Sequence, residues 1–155
     1  MDCEIQYRIV TWLLVVLGWL VVARVQERRT IKNNLQDRAA KIITKVEDVE
    51  LDAISFYTKP GNENRQDEER VKIVAKLSRL GHDSALIIKN RKHNIFDRIS
   101  DYRRTITLND FDLIERPACT AADQKILNII EASQALSAAI QDSVDRTVKR
   151  NLRLK

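Results

Sequence analysis

The sequence predicts an all-α protein in which a single N-terminal transmembrane helix continues into an elongated antiparallel three-helix bundle or coiled coil. Three observations support this class. The run from Ile9 to Ala23 holds fifteen residues and no charge. Beyond it, apolar residues recur at alternating spacings of four and three, the period of packed helices. The 155 residues include only three Gly and two Pro, a composition typical of long helices rather than sheets.

The uncharged run is predicted to cross a bilayer. As a helix, its fifteen residues would cover roughly 22 Å of a hydrocarbon core about 30 Å thick. Arg8 and Arg24 flank it and can extend their charges to the headgroups, so we assign residues 9–25 to the membrane helix and residues 1–8 to a short tail. The anchor residues that we single out are two tryptophans, a central leucine and a glycine: Trp12, Trp19, Leu14 and Gly18.

Two other interpretations of this run stay open from the sequence. One is a cleaved secretory signal with a loose small-residue site at Val21 and Ala23. Against it, Asp2 and Glu4 leave the preceding segment without the net positive charge of such signals. The other is a buried core helix, which needs a surrounding globular domain that the remaining sequence does not indicate.

Basic residues cluster directly after the apolar run, whereas only Arg8 precedes it. The positive-inside rule therefore places the N-terminus outside and the following domain in the cytoplasm. We expect a single-pass membrane protein with the following basic residues at the membrane surface: Arg24, Arg28, Arg29 and Lys32.

Residues 26–155 are predicted to form one helical-bundle domain. Its first helix, about 26–58, carries a heptad seam and ends before Pro60 and Gly61, because Pro cannot continue a helix and Gly accepts turn dihedrals. The seam residues of this helix include Leu35, Ile42, Val46 and Val49.

The second helix is expected over about 65–106, with a kink or short break where its apolar stripe shifts near 81–83 or 90–94. About 35 residues after the turn, the chain would return to the bilayer near 100–104. We therefore also expect Arg103 and Arg104 at the membrane surface. The seam residues of this helix include Leu77, Ile88 and Ile99.

Two residue pairs, Thr107 with Asp110 and Thr120 with Asp123, have the spacing of N-terminal capping boxes. The first pair predicts one short helix, and the second predicts the start of a third long helix over about 120–152. The seam residues of the third helix include Ile126, Leu136 and Ile140, with small residues beside them.

Charge is distributed unevenly along the chain. Residues 24–45 hold seven Lys or Arg and two acids, residues 89–104 hold six and two, and residues 46–88 are net acidic. In the predicted hairpin, both basic stretches would lie beside the membrane, where an anionic leaflet favours each surface Lys or Arg by about 1 kcal/mol. The alternative is that these charges lie on solvated helix faces and form salt bridges within the bundle.

No spacing of reactive residues indicates catalysis, so we expect neither enzymatic activity nor a cofactor. His82 and His93 lack the spacing and the Cys partners of a metal site. Cys3 and Cys119 would lie on opposite sides of the membrane and are expected to be ordinary thiols. The basic stretch at 89–104 lacks the interleaved aromatic residues of nucleic-acid binders, so nucleic acid is disfavoured as a partner, and no small-molecule substrate is evident.

The expected function is that of a membrane-anchored interaction or scaffold protein, a subunit of a membrane-associated homo- or hetero-oligomer. Its expected partners are the lipid bilayer and either another protein or further copies of the chain. A narrow seam with few large aromatic residues buries modest area, which favours such association. Two alternatives stay open: a sensor-like helical module outside the cytoplasm, and a small pore-forming or membrane-perturbing effector.

Overall fold

The computed structural model describes residues 2–61, 66–87, 95–113 and 116–153. These residues form four α-helices: α1 (Asp2–Thr58), α2 (Gln66–Ile87), α3 (Ile95–Thr107) and α4 (Gln124–Arg153). A 3-10 turn at Asp110–Asp112 lies between α3 and α4. The described residues contain no strand, which confirms the predicted all-α class. Ile88 and His93 lie outside the described residues.

α1 is one unbroken helix of 57 residues, about 85 Å long at 1.5 Å per residue. The uncharged run and the heptad seam therefore belong to the same element. Side chains from Val10 to Asn34 are exposed, apart from the half-buried Arg28. The buried stripe begins at Ala39 and ends at Tyr57. The first half of α1 thus contacts little of the domain, whereas the second half supplies one wall of its core.

The core takes side chains from all four helices, because an apolar stripe on one helix is buried only against stripes on its neighbours. α1 packs against α2 and α4, and α3 packs against α4. Leu35 is half-buried at the edge of the core. The other described seam residues are buried: Ile42, Val46, Val49, Leu77, Ile99, Ile126, Leu136 and Ile140.

Ion pairs at two levels show that α2 runs antiparallel to α1. Near the end of α1, Lys59 Nζ lies 2.7 Å from Glu69 Oε1, close to the start of α2. Farther back along α1, Lys45 Nζ lies 2.5 Å from Asp83 Oδ2, near the end of α2. Residue numbers therefore rise along α1 as they fall along the facing helix.

A third contact between the same helices joins one carboxylate to two lysines. The carboxylate of Asp52 lies 3.1 Å from Lys72 Nζ and 2.7 Å from Lys76 Nζ. Partial burial acts to raise the pKa of Asp52, but hydrogen bonds and charges from Lys76 and Lys72 outweigh it and hold the pKa below its ordinary value. The carboxylate is therefore ionised at neutral pH, and its ion pairs hold α2 against α1.

Two buried tyrosines fix the direction of α3. The Tyr102 hydroxyl donates to the carbonyl oxygen of Val46 at 3.0 Å, and the Tyr57 hydroxyl donates to that of Ile106. Both hydroxyls are buried and need an acceptor, so these contacts hold α3 in one register. Higher numbers on α3 meet higher numbers on α1, so α3 runs in the same direction as α1 and opposite to α2.

The direction of α3 differs from the prediction, in which the second helix ran back toward the membrane and reached it near 100–104. α2 and α3 are separate helices, and Arg103 and Arg104 lie toward the end of α1 that is remote from the apolar run. The direction of α3 is set by tertiary contacts, because its buried stripe packs mainly against α4 while the Tyr57 and Tyr102 hydroxyls hold it along α1. The charge at Arg103 and Arg104 therefore lies away from the predicted membrane surface.

Local hydrogen bonds determine where α4 begins. The backbone N–H of Thr120 donates to Asp123 Oδ2 at 2.6 Å, which is one half of a capping box, and α4 starts at the next residue. The other predicted box does not form, because the Thr107 hydroxyl donates to the Arg103 carbonyl inside α3 at 2.9 Å. Asn109 precedes the 3-10 turn with φ of 67°.

Candidate functional site

The end of α1 remote from the apolar run holds a cluster of aromatic and cationic side chains, which we call the distal cluster: Phe56, Tyr57, Arg116, Cys119 and Lys125. Its origin is the helix stop at Pro60, which leaves the last carbonyls of α1 without intrahelical donors. Arg116 supplies donors from the connection before α4. Its Nη2 donates to the carbonyl oxygens of Phe56 at 2.6 Å and Lys59 at 3.2 Å.

The Arg116 guanidinium is also held between two aromatic rings. Its central carbon lies 4.2 Å from the ring centroid of Phe56 and 4.6 Å from that of Tyr57. The residue is only 3% exposed, and its Nε and Nη1 have no acceptor among the described residues. Cation–π attraction and the negative end of the α1 dipole therefore offset part of the cost of burying this charge.

Two backbone hydrogen bonds tie the same connection to the end of α1. The Gly61 N–H donates to the Arg116 carbonyl at 2.8 Å, and the Cys119 N–H donates to the Tyr57 carbonyl at 2.8 Å. Residues 116–119 are consequently fastened at both ends. This fixes the position from which α4 starts.

Lys125 performs a similar role at the end of α3. Its Nζ donates to the carbonyl oxygens of Thr105 at 2.7 Å and Leu108 at 2.9 Å, and it lies 4.8 Å from the Tyr57 ring centroid. A cation near the C-terminus of a helix is favoured by the helix dipole. Two cations thus cap two helix ends around one tyrosine.

Burial governs the ionisation of this cluster. It lowers the pKa of Arg116 and of Lys125, and it raises the pKa of Tyr57, which stays neutral at physiological pH. Burial also raises the pKa of the half-buried Cys119 thiol, so its thiolate is scarce at neutral pH. The arrangement suits helix capping and provides no activated nucleophile.

The structure also locates the other sequence candidates for chemistry. His82 is exposed on α2, and Cys119 is a free thiol. Cys3 lies at the opposite end of α1 from the distal cluster. Among the described residues, no group of three or more His, Cys, Asp or Glu side chains could hold a metal ion.

Two depressions on the described surface are open to solvent and have charged rims, unlike the enclosed pockets that bind most small molecules. The first, of about 200 Å³, lies between α1 and α2 and is lined by Lys45, Asp48, Val49, Lys76 and Arg79. The second, of about 390 Å³, lies beside the distal cluster and is lined by Asp101, Arg104, Thr105, Leu108, Asn109, Lys125 and Asn128.

The predicted anchor residues lie on the exposed first half of α1. Trp12, Leu14 and Trp19 are exposed, and a Cβ added at Gly18 would meet no atom within 4 Å. Of the predicted surface cations, Arg28 is half-buried, and the others are exposed: Arg24, Arg29 and Lys32. α1 is the one helix among the described residues that is long and apolar enough to cross a membrane, and none of its apolar window is buried.

Sequence reasoning missed Arg116 and Lys125. Both act through backbone carbonyls of helices distant in the sequence, and neither belongs to a periodic pattern. The stop at Pro60 indicates that α1 needs outside donors, but it does not identify which residue supplies them. Only the packing of the connection against α1 does so.

We predict that Arg116→Lys destabilises the chain by about 1–3 kcal/mol, because an ammonium cannot stack as a planar fork and leaves a buried carbonyl without its donor. Denaturant unfolding of the full chain in detergent, followed by circular dichroism, measures this. The control Arg103→Lys is exposed on α3 and should change the free energy of unfolding by less than about 0.5 kcal/mol. Equal effects of the two substitutions would show that Arg116 does not hold the end of α1.

The described residues thus combine a capped, packed helical domain with an uncovered apolar helix. Comparisons of the chain with known protein families, curated proteins and solved structures found no match.

Proposed function

We propose that this chain is a single-pass membrane-anchored scaffold, in which residues 9–25 cross the bilayer and residues 26–155 form a helical bundle that binds partner proteins or further copies of the chain. One observation carries the proposal. The uncharged run is uncovered by the rest of the structure, yet it is continuous with the helix that walls the core.

The energetic argument starts from the apolar surface of the run. Twelve large apolar side chains between Val10 and Val25 are exposed. Fully burying a side chain of this size contributes about 1.5–3 kcal/mol, so water is a poor environment for the whole segment. Soluble proteins rarely expose contiguous apolar patches beyond a few hundred Å². A hydrocarbon core covers all faces of such a helix at once.

The continuity of α1 then sets the geometry of the scaffold. The core begins at Ala39, about 22 Å along the helix from Arg24. The distal cluster at Tyr57 lies about 50 Å along the helix from Arg24. The proposed protein therefore presents a packed domain at a fixed distance from the lipid surface. Orientation with the domain in the cytoplasm follows the excess of basic residues after the run.

Protein contacts are the best-supported activity of this domain. Its described depressions are open and charged, which suits neither an enclosed ligand nor an enzymatic site. Leu51, Val71 and Leu127 remain exposed on the helices. A Cβ added at Gly18 would meet no described atom within 4 Å, so this position is open to close helix packing in a bilayer.

We predict that Leu14→Asp releases the chain from membranes, because a carboxylate near the centre of a membrane helix costs about 3 kcal/mol on insertion scales. The measurement is the fraction of full chain that stays with membranes after an alkaline wash, together with the mass of the retained chain. Leu51→Asp is the matched control, an exposed leucine on α1 beyond the run, and should stay bound. A wild-type chain that begins at or after Arg24 and floats free would contradict the anchor.

We predict that the detergent-solubilised chain has a mass above the 17.9 kDa monomer or carries a co-purifying protein. Light scattering coupled to size exclusion measures the mass. Gly18→Leu should lower the mass if the membrane helices pack together, whereas Gly81→Leu, another helical glycine with free space around it, should not. A monomer without any partner would remove the scaffold proposal.

We predict that a maleimide reagent reaches Cys3 from outside intact cells, because the positive-inside rule places the N-terminus there. The domain is probed with Ala118→Cys in a chain lacking both native cysteines, since Ala118 is exposed. Position 118 should react only after permeabilisation. Labelling of position 118 from outside would reverse the orientation and favour a sensor-like module.

A further inference from the structure

α4 extends beyond the core toward the apolar run. Its start lies against Tyr57 through Lys125, and it packs antiparallel along α1. Val148 and Leu35 both pack at the edge of the core, well past its centre. Because both helices rise by the same amount per residue, the last turn of α4 near Arg153 lies about level with Arg29 of α1.

The charged residues in the last turns of α4 are all basic. From Arg146 to Lys155, the chain has five Lys or Arg and no acid. Lys149 is exposed, and Arg146 is exposed with its Nη2 2.7 Å from Asp142 Oδ2. The facing part of α1 exposes Arg24, Arg29 and Lys32. Two basic stretches more than 100 residues apart in sequence are thus brought together.

We infer that this surface, formed by Arg24, Arg29 and Lys32 of α1 with Arg146 and Lys149 of α4, binds the anionic headgroups of the membrane that α1 crosses. The inference rests on the proposed anchor. Arg29 lies about 8 Å along the helix from Arg24, and by the same register Lys149 and Arg146 lie about 14 and 18 Å from Arg24. The headgroup layer extends about 5–7 Å beyond the hydrocarbon core, so these cations lie within about two Debye lengths of the headgroups at physiological salt. Lipid phosphates and carboxylates at that distance attract each exposed cation.

This assignment replaces the predicted basic pair on α3. Arg103 and Arg104 are exposed, but α3 places them near the distal cluster. At that level they are about 40 Å or more from Arg24, several Debye lengths away. They therefore serve as a matched control for charge that does not face lipid.

The test is hydrogen exchange of the full chain in lipid nanodiscs. One set contains phosphatidylcholine alone, and in the other about a third of the lipid is phosphatidylglycerol. Headgroup attraction should slow amide exchange in the last two turns of α4 about fivefold or more in anionic lipid, relative to phosphatidylcholine alone. High salt should abolish the difference because it screens the attraction.

Two double substitutions locate the effect. Arg146→Gln with Lys149→Gln should reduce the lipid-dependent protection, whereas Arg103→Gln with Arg104→Gln should preserve it. Equal exchange of the wild-type chain in the two lipids, or an equal loss in both double variants, would overturn the inference. A chain that does not enter the nanodiscs at all would contradict the proposed membrane anchor instead, so failure of the anchor and failure of the lipid contact are distinguishable.

Discussion

The domain depends on how the end of α1 is satisfied. Pro60 stops the helix, and its last carbonyl groups lie against the connection that precedes α4, where an unpaired acceptor is costly. Arg116 satisfies two of these carbonyls, because its buried guanidinium donates hydrogen bonds to them and stacks on Phe56 and Tyr57. Phe111 extends the stack with its ring 5.2 Å from that of Phe56. The capping contact therefore also positions the 3-10 turn and the connection to α4.

From that fixed point the remaining helices take their registers. The Tyr57 ring contacts both cations, Arg116 and Lys125. The Tyr57 hydroxyl donates to the Ile106 carbonyl and the Tyr102 hydroxyl to the Val46 carbonyl, so α3 is held along α1 at two levels. Ion pairs hold α2 along another side of α1. α1 thus contacts each of the other three helices, although α3 packs mainly against α4. The proposed anchor uses the same helix, which would transmit any tilt of the membrane segment directly to the core.

Helix content and the buried faces were predictable because they depend on local periodicity. The seams of α1 and α4 continue for many turns, and their described members are buried or half-buried as the spacing of four and three requires. The shift of stripe between α2 and α3 was also visible, but its meaning was not. A shift can mark a kink or a reversal, and periodicity alone does not distinguish them. Arg116 and Lys125 were not predictable, because their acceptors are backbone carbonyls that every sequence possesses.

The sequence by itself determined an all-helical chain, an uncharged N-terminal run, the stop at Pro60 and the residues that face a core. These features follow from the preferences of short segments. Only the tertiary structure decided the direction of α3, which places Arg103 and Arg104 far from the apolar run. It also decided that the last turns of α4 lie at the end of the domain nearest that run. Those outcomes depend on which stripe packs against which, and on two buried hydroxyls that find acceptors across the core. Contacts of this kind join residues far apart in the chain, so no local pattern specifies them.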